Sequence, residues 1–168
     1  MLRLTRIATL DIKMTEALAD TFAAAQAPKI DWDGEPAYAI YEITPAPEGV
    51  VVEFLNATDM PVQGLTLKAN GGVLVINDVE APEILLWRDT APSSVSVSVK
   101  REPGKKVTLK LWNIWRGSMG GVDVTQAWLG NAGMRIEQAA DGKELLLRCS
   151  DGEGPVDFGD LVARLIIG

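Results

Sequence analysis

From Pro28 onward, apolar and polar residues alternate in short runs, which is the two-residue period of half-buried strands. Ser94–Lys100 (SVSVSVK) is the clearest of them, and Val107, Leu109 and Leu111 alternate with Thr108, Lys110 and Trp112 in the next. The pattern predicts strands at Ala37–Ile43, Val50–Leu55, Leu65–Lys68, Val73–Val79, Ile84–Trp87, Val95–Lys100, Val107–Trp115, Val122–Leu129, Met134–Gln138, Leu145–Cys149 and Leu161–Ile167. Turn-forming clusters separate them: Pro45–Gly49 (PAPEG), Asn70–Gly72 (NGG), Pro103–Gly104, Gly117–Gly121 (GSMGG), Asp141–Gly142 and Asp151–Pro155 (DGEGP). Only Thr15–Ala27 (TEALADTFAAAQA) has the composition and period of a helix, with Thr15 as its cap, Pro28 as its stop and Leu18, Phe22 and Ala25 as an apolar stripe. Leu2–Ile12 alternates weakly, as a first strand or an extended lead-in.

Many short strands with regular punctuation predict an all-β domain, a two-sheet antiparallel sandwich with a β-barrel as the alternative. Residues 1–27 are an extension of strand and helix lying on a single domain that spans 1–168. In strand number the architecture resembles jelly-roll, galactose-binding-like modules, a likeness that licenses no function. A hairpin register follows if Val99 faces Val107, Val97 faces Leu109 and Val95 faces Leu111, because every apolar side chain then shares one face. Trp112 falls on the opposite, polar face, among Ser94, Ser96, Thr108 and Lys110.

Composition removes several chemistries. The chain has no histidine, which excludes Ser-His-Asp and Cys-His catalysis and His-ligated metals. Its one cysteine, Cys149, permits no internal disulfide and reads as a buried thiol in phase with Leu145 and Leu147; this favours a reducing, cytoplasmic setting. A net charge of −7 repels phosphate backbones, and the densest basic cluster, Lys100, Arg101, Lys105 and Lys106, reads as a solvated tip, so no nucleic-acid partner is expected. No apolar run is long enough to cross a membrane as a helix. The apolar stretch Ile7–Leu10 is cut by Asp11 and Lys13, which argues against a secretory signal in spite of the AAAQA run at Ala23–Ala27.

The candidate site grows from the five tryptophans. A flat indole stacks on the apolar face of a sugar while amide, carboxylate and guanidinium groups bind its hydroxyls. Trp112, Asn113, Trp115, Arg116, Asp123, Gln126, Trp128 and Asn131 supply that mixture within one short segment, next to the Gly117–Gly121 loop, with Trp112, Asn113, Arg116, Asp123, Gln126 and Asn131 as the ligand-binding set; the competing reading makes Trp115 and Trp128 core residues and covers Trp112 with the N-terminal helix. The leading expectation is therefore a non-catalytic module binding a carbohydrate or another small polar ligand. A protein-interaction or assembly subunit, including a homo-oligomer, is the alternative.

Two acidic clusters raise further chemistry. Asp151, Glu153 and Asp157, on a glycine-rich loop that also carries Asp160, are candidate ligands for a structural calcium ion; no other cofactor is expected. Asp31, Asp33 and Glu35 (DWDGE) would suit a carboxylate-based hydrolase, against which Gly34 and Pro36 argue for a turn. Gly130–Gly133 (GNAG) lacks the Lys-Ser/Thr of a phosphate loop and reads as a tight turn.

Overall fold

The computed structural model describes residues 16–119 and 122–168. The Leu2–Ile12 segment, the Thr15 cap and the Gly120–Gly121 end of the glycine loop lie outside them. Helix α1 spans Leu18–Ala25, and the chain then runs through strands β1 (Lys29–Trp32), β2 (Glu35–Tyr38), β3 (Tyr41–Ile43), β4 (Gly49–Ala57), β5 (Val62–Asn70), β6 (Gly72–Ile76) and β7 (Val79–Ala81). It continues with β8 (Glu83–Trp87), β9 (Ser94–Arg101), β10 (Thr108–Met119), β11 (Val122–Gln126), β12 (Gly133–Gln138), β13 (Glu144–Ser150) and β14 (Leu161–Ile167).

These strands form two antiparallel sheets, ordered β1-β2-β12-β13-β14-β4-β9-β6-β7 and β11-β10-β5-β8, with β3 on the free side of β10. The protein is a β-sandwich and not a closed barrel. Inward residues of the large sheet, such as Val52, Val97, Leu147 and Leu165, face Leu65, Leu67, Leu109 and Leu111 of the small one in a common core. Each such side chain, removed fully from water, contributes about 2 kcal/mol before the cost of ordering it.

The expected β9–β10 hairpin is not formed. Val97 pairs with Val50 on β4 and Val99 with Leu74 on β6, whereas Leu109 pairs with Ala69 and Leu111 with Leu67, both on β5. The residues between them carry the chain from one sheet to the other. Both alternations are real, but the valines and leucines meet face to face across the core and not edge to edge. The Asn70–Gly72 turn is likewise a corner between sheets, since β5 belongs to the small sheet and β6 to the large. Gly71 sits there at φ +87°, against the Lys106 carbonyl, where a side chain would be both strained and crowded.

The predicted strand Ala37–Ile43 is two strands, because the chain changes sheets at Ala39–Ile40: β2 pairs β1, and β3 pairs β10 through Tyr41, Glu42 and Ile43. Helix α1 is shorter than its sequence pattern. Leu18 and Phe22 are buried with Ile30 and Ala37, while Ala25 is exposed, so the stripe is narrower than expected. No side chain caps the helix from Ala17. Instead the 130–131 turn supplies acceptors, with Ala19 N–H donating to the Gly130 carbonyl at 2.8 Å and Leu18 N–H to Asn131 Oδ1 at 3.3 Å.

Arg135 of β12 fastens the β1–β2 turn to the sheet. Its guanidinium donates to the carbonyls of Glu35 (2.6 Å), Pro36 (3.0 Å) and Trp32 (2.7 Å), and lies 4.8 Å from the Phe158 ring centre. Charge-assisted bonds of this kind are worth ~1.5–3 kcal/mol when broken. Arg135→Met is expected to lower the unfolding free energy by about 2 kcal/mol, read from the urea midpoint at unchanged slope.

Candidate functional site

The switch of sheets at Ala39–Ile40 opens a groove. One wall is α1 and its C-terminal end, with Ala19, Phe22, Ala23 and Gln26; the other is formed by Ile40, Glu42 of β3 and Lys110 of β10. Trp128 and Ala132 complete it, and its volume is about 580 Å³. The walls are mostly apolar. Their charged members are Lys110 and Glu42, register partners across β10–β3 and 3.4 Å apart as an ion pair.

Trp128 is 46% exposed. Its backbone is left-handed, at φ +58°, a region that costs a bulky residue about 1–2 kcal/mol. Two contacts offset that cost. The indole lies on Trp112 at 5.1 Å between ring centres and a 38° tilt, and its Nε1–H donates to the Ala39 carbonyl at 3.1 Å. Both fix the ring while leaving much of it open to the groove.

The exposure of the two indoles is the reverse of that expected: Trp128, and not Trp112, lines the groove. Trp112 does lie on the outward side of β10 with Thr108 and Lys110, but it is only 8% exposed because Trp128 covers it. The other expected site residues do not gather around it. Asn113, next along the strand, points to the opposite side, is 3% exposed and donates to the Ser150 carbonyl at 2.9 Å. Arg116 stacks 4.6 Å from the Trp87 ring centre and pairs with Asp89 at 2.5 Å. Gln126 Oε1 accepts from Trp115 Nε1–H at 2.7 Å, and Asn131 is occupied as the helix cap and by the Gly154 carbonyl at 2.8 Å. Asp123 is exposed on β11. The sequence places Trp128 among the candidate indoles without singling it out and gives no sign of the wall residues Ile40, Glu42 and Lys110; the Gly130 break just after Trp128 is the one available sign that this indole lies at a strand end.

The acidic loop does not assemble a calcium site. Asp151 is buried, with Oδ2 accepting from Gln63 Nε2–H at 2.8 Å and Oδ1 from the Glu153 N–H at 2.8 Å. Asp157 Oδ1 accepts from the Gly159 N–H at 2.8 Å, and Glu153 and Asp157 are exposed. Asp151 is bound by β5 as well as by its own loop and Asp157 by its own loop, and among the described residues no group of three or more acidic or cysteine side chains is placed to hold a metal ion. Asp160, 8% exposed, accepts from the Asp151 N–H at 3.0 Å. Burial first, then the neighbouring Asp151 and Asp157 charges, push its carboxyl up to about 6. The two carboxyls line a cleft of about 600 Å³ with Thr58, Val62 and Arg116.

Asp31, Asp33 and Glu35 form the tight β1–β2 turn. Asp31 Oδ1 accepts from the Gly34 N–H at 3.0 Å, and Asp33 and Gly34 both have positive φ, as a two-residue hairpin turn requires. Cys149 is fully buried, which pushes its thiol well above the usual range and leaves it unreactive. In the basic cluster, Lys100 pairs with Glu80 and Lys105 with Glu102 in solvent. Among the described residues no helix is long and apolar enough to cross a membrane.

No protein-family model, no curated protein and no solved structure matches this chain.

Proposed function

We propose that this protein is a non-catalytic binding module whose ligand lies in the α1–β10 groove against Trp128. The ligand class that fits is a carbohydrate, or another small molecule with one flat apolar face and a polar rim. One observation carries the reading: an indole half open to solvent is held in a costly backbone conformation beside a groove of about 580 Å³. Strain of this kind is retained where a side chain must be presented. The groove's apolar walls suit the hydrophobic side of a pyranose, and Lys110, Glu42 and Gln26 are hydroxyl partners at its rim.

Titration with a panel of mono- and oligosaccharides, followed by tryptophan fluorescence, tests this. At least one sugar is expected to change the emission. Trp128→Ala is expected to weaken that sugar by tenfold or more while moving the unfolding free energy by no more than about 1 kcal/mol, as for other half-exposed positions. Silence from every sugar sinks the carbohydrate reading, and undiminished binding in Trp128→Ala sinks the groove.

A protein-interaction or assembly role is the second reading. It is favoured by the exposure of Leu129 (54%) beside Trp128 and of Val124 (39%) on β11. Light scattering after size exclusion separates the two, since a strict monomer at high concentration removes self-assembly. The carboxylate-hydrolase reading has no comparable support, with Asp31, Asp33 and Glu35 committed to a turn.

A further inference from the structure

Strand β9 has a full partner on one side only. Val95 and Val97 stand opposite Val52 and Val50 of β4, whereas on the other side β6 pairs no further along than Ser98, opposite Val75. Asn77 and Asp78, at φ 48° and 63°, turn the chain back into β7 just past that point. Among the described residues no strand continues along Ser94–Val97 on the β6 side.

The direction of the backbone groups on this stretch follows from its two ends. Phe54 N–H donates to the Ser93 carbonyl at 3.1 Å and Val99 N–H to the Glu48 carbonyl at 2.8 Å, so the odd-numbered residues bond β4. Ser94 and Ser96 therefore turn their N–H and C=O groups the other way, to an open edge. Beside that edge lies a groove of about 430 Å³, lined by Ile76, Leu86, Ala91, Pro92 and Val95. Asn77 of the β6–β7 turn and Thr90 of the β8–β9 connection also line it.

We infer that this edge takes an extended peptide of a partner protein as an added strand, with one apolar side chain set in the groove and a Lys or Arg immediately before it. The inference is independent of the Trp128 groove.

The register follows from the backbone. The residues before and after the apolar one exchange N–H and C=O with Ser96 and Ser94, which is strand addition to a sheet edge. The apolar residue then faces Val95, itself 6% exposed. Residues opposite one another on neighbouring strands share a face, so its side chain enters the groove and meets Leu86 and Ile76. The added strand runs antiparallel to β9, in line with β6, and begins beside the β6–β7 turn. Asp78 of that turn is exposed and forms no ion pair among the described residues, and Lys100 is taken by Glu80. A cationic residue at the start of the peptide answers that carboxylate and the net charge of −7. The same net charge makes two copies of this chain repel, which disfavours a second copy as the occupant.

The probe is the acetylated and amidated pentapeptide Gly-Lys-Leu-Thr-Gly, titrated into isotope-labelled protein and followed by NMR shifts and amide exchange. At saturation it is expected to slow exchange of the Ser94 and Ser96 amides at least tenfold. The Val95 and Val97 amides, already bonded to β4, are expected to stay as they are. Replacing the peptide's Leu by Asp is expected to weaken binding at least tenfold. Replacing its Lys by Glu is expected to weaken binding at least threefold, a difference that disappears in Asp78→Asn. Ser96→Pro removes one outward N–H and no bond to β4, and is expected to weaken the probe at least tenfold. Ala91→Phe fills the groove and serves if Ser96→Pro fails to fold. Ser94 and Ser96 amides indifferent to the probe, or binding undiminished in the variants, overturn the edge as a site. Protection of those amides without peptide, rising with protein concentration, assigns the edge to a second copy and overturns the peptide. Trp128→Ala is expected to leave the probe's affinity unchanged, so this edge and the sugar groove fail separately.

Discussion

Trp115→Ala is expected to lower the unfolding free energy by about 3–5 kcal/mol, the range for large aromatic truncations in a packed interior. Trp115 is 1% exposed at the inward side of β10, where the small sheet meets the 151–160 loop. Its ring carries Gly152 on one side, and its Nε1–H donates to Gln126 across the β10–β11 pair. Truncation leaves a cavity that backbone on both sides cannot fill, and it leaves Gln126 Oε1 without that donor. Urea denaturation reads the change, and a loss below about 1 kcal/mol would mean that the loop closes over the vacancy. Trp115→Phe keeps most of the volume and is expected to recover more than half of the loss.

Gly152→Ala, from the other side of the same contact, is expected to cost about 2–4 kcal/mol. A Cβ there would lie 2.7 Å from Trp115 Cη2 and 2.6 Å from the Leu129 carbonyl oxygen. Neither can yield cheaply, since one belongs to a ring enclosed on all sides and the other to backbone. The substitution therefore overpacks a site that Trp115→Ala empties, and the two should not add. In the double variant, Gly152→Ala is expected to cost clearly less than it does alone, with the remainder measuring the Leu129 carbonyl. Full additivity would show that the ring is not what excludes a side chain at 152.

The strands were legible because alternation records which side of a strand is dry, and the turn clusters record where it stops. Val95 and Val97, Leu109 and Leu111, Leu145 and Leu147 were all assigned to buried sides, and all are buried. Neighbours were not legible. A period of two is the same whether the next strand lies beside the first or across the core from it, so the β9–β10 pairing could not be distinguished from the face-to-face packing that exists. The break between β2 and β3 was invisible for a similar reason, since Tyr38 and Tyr41 continue one apolar run across the point where the chain changes sheets. At the site, parity put Trp112 on the outward side of its strand correctly. Parity cannot report that another residue, Trp128, covers that side. Asn113, Gln126 and Asn131 were chosen for their hydrogen-bonding groups, and those groups are consumed inside the protein by Ser150, Trp115, Leu18 and Gly154.

In the large sheet β14 lies between β13 and β4, although it follows every other strand in the chain. Its Leu165 stands opposite Leu145 on one side and Val52 on the other. During synthesis, then, β4 and β13 each wait with an unsatisfied edge until Leu161–Ile167 leaves the ribosome. Such non-local closure places the molecule among slow-folding domains. It also makes the newly made chain most vulnerable to wrong pairing in the interval just before β14 arrives.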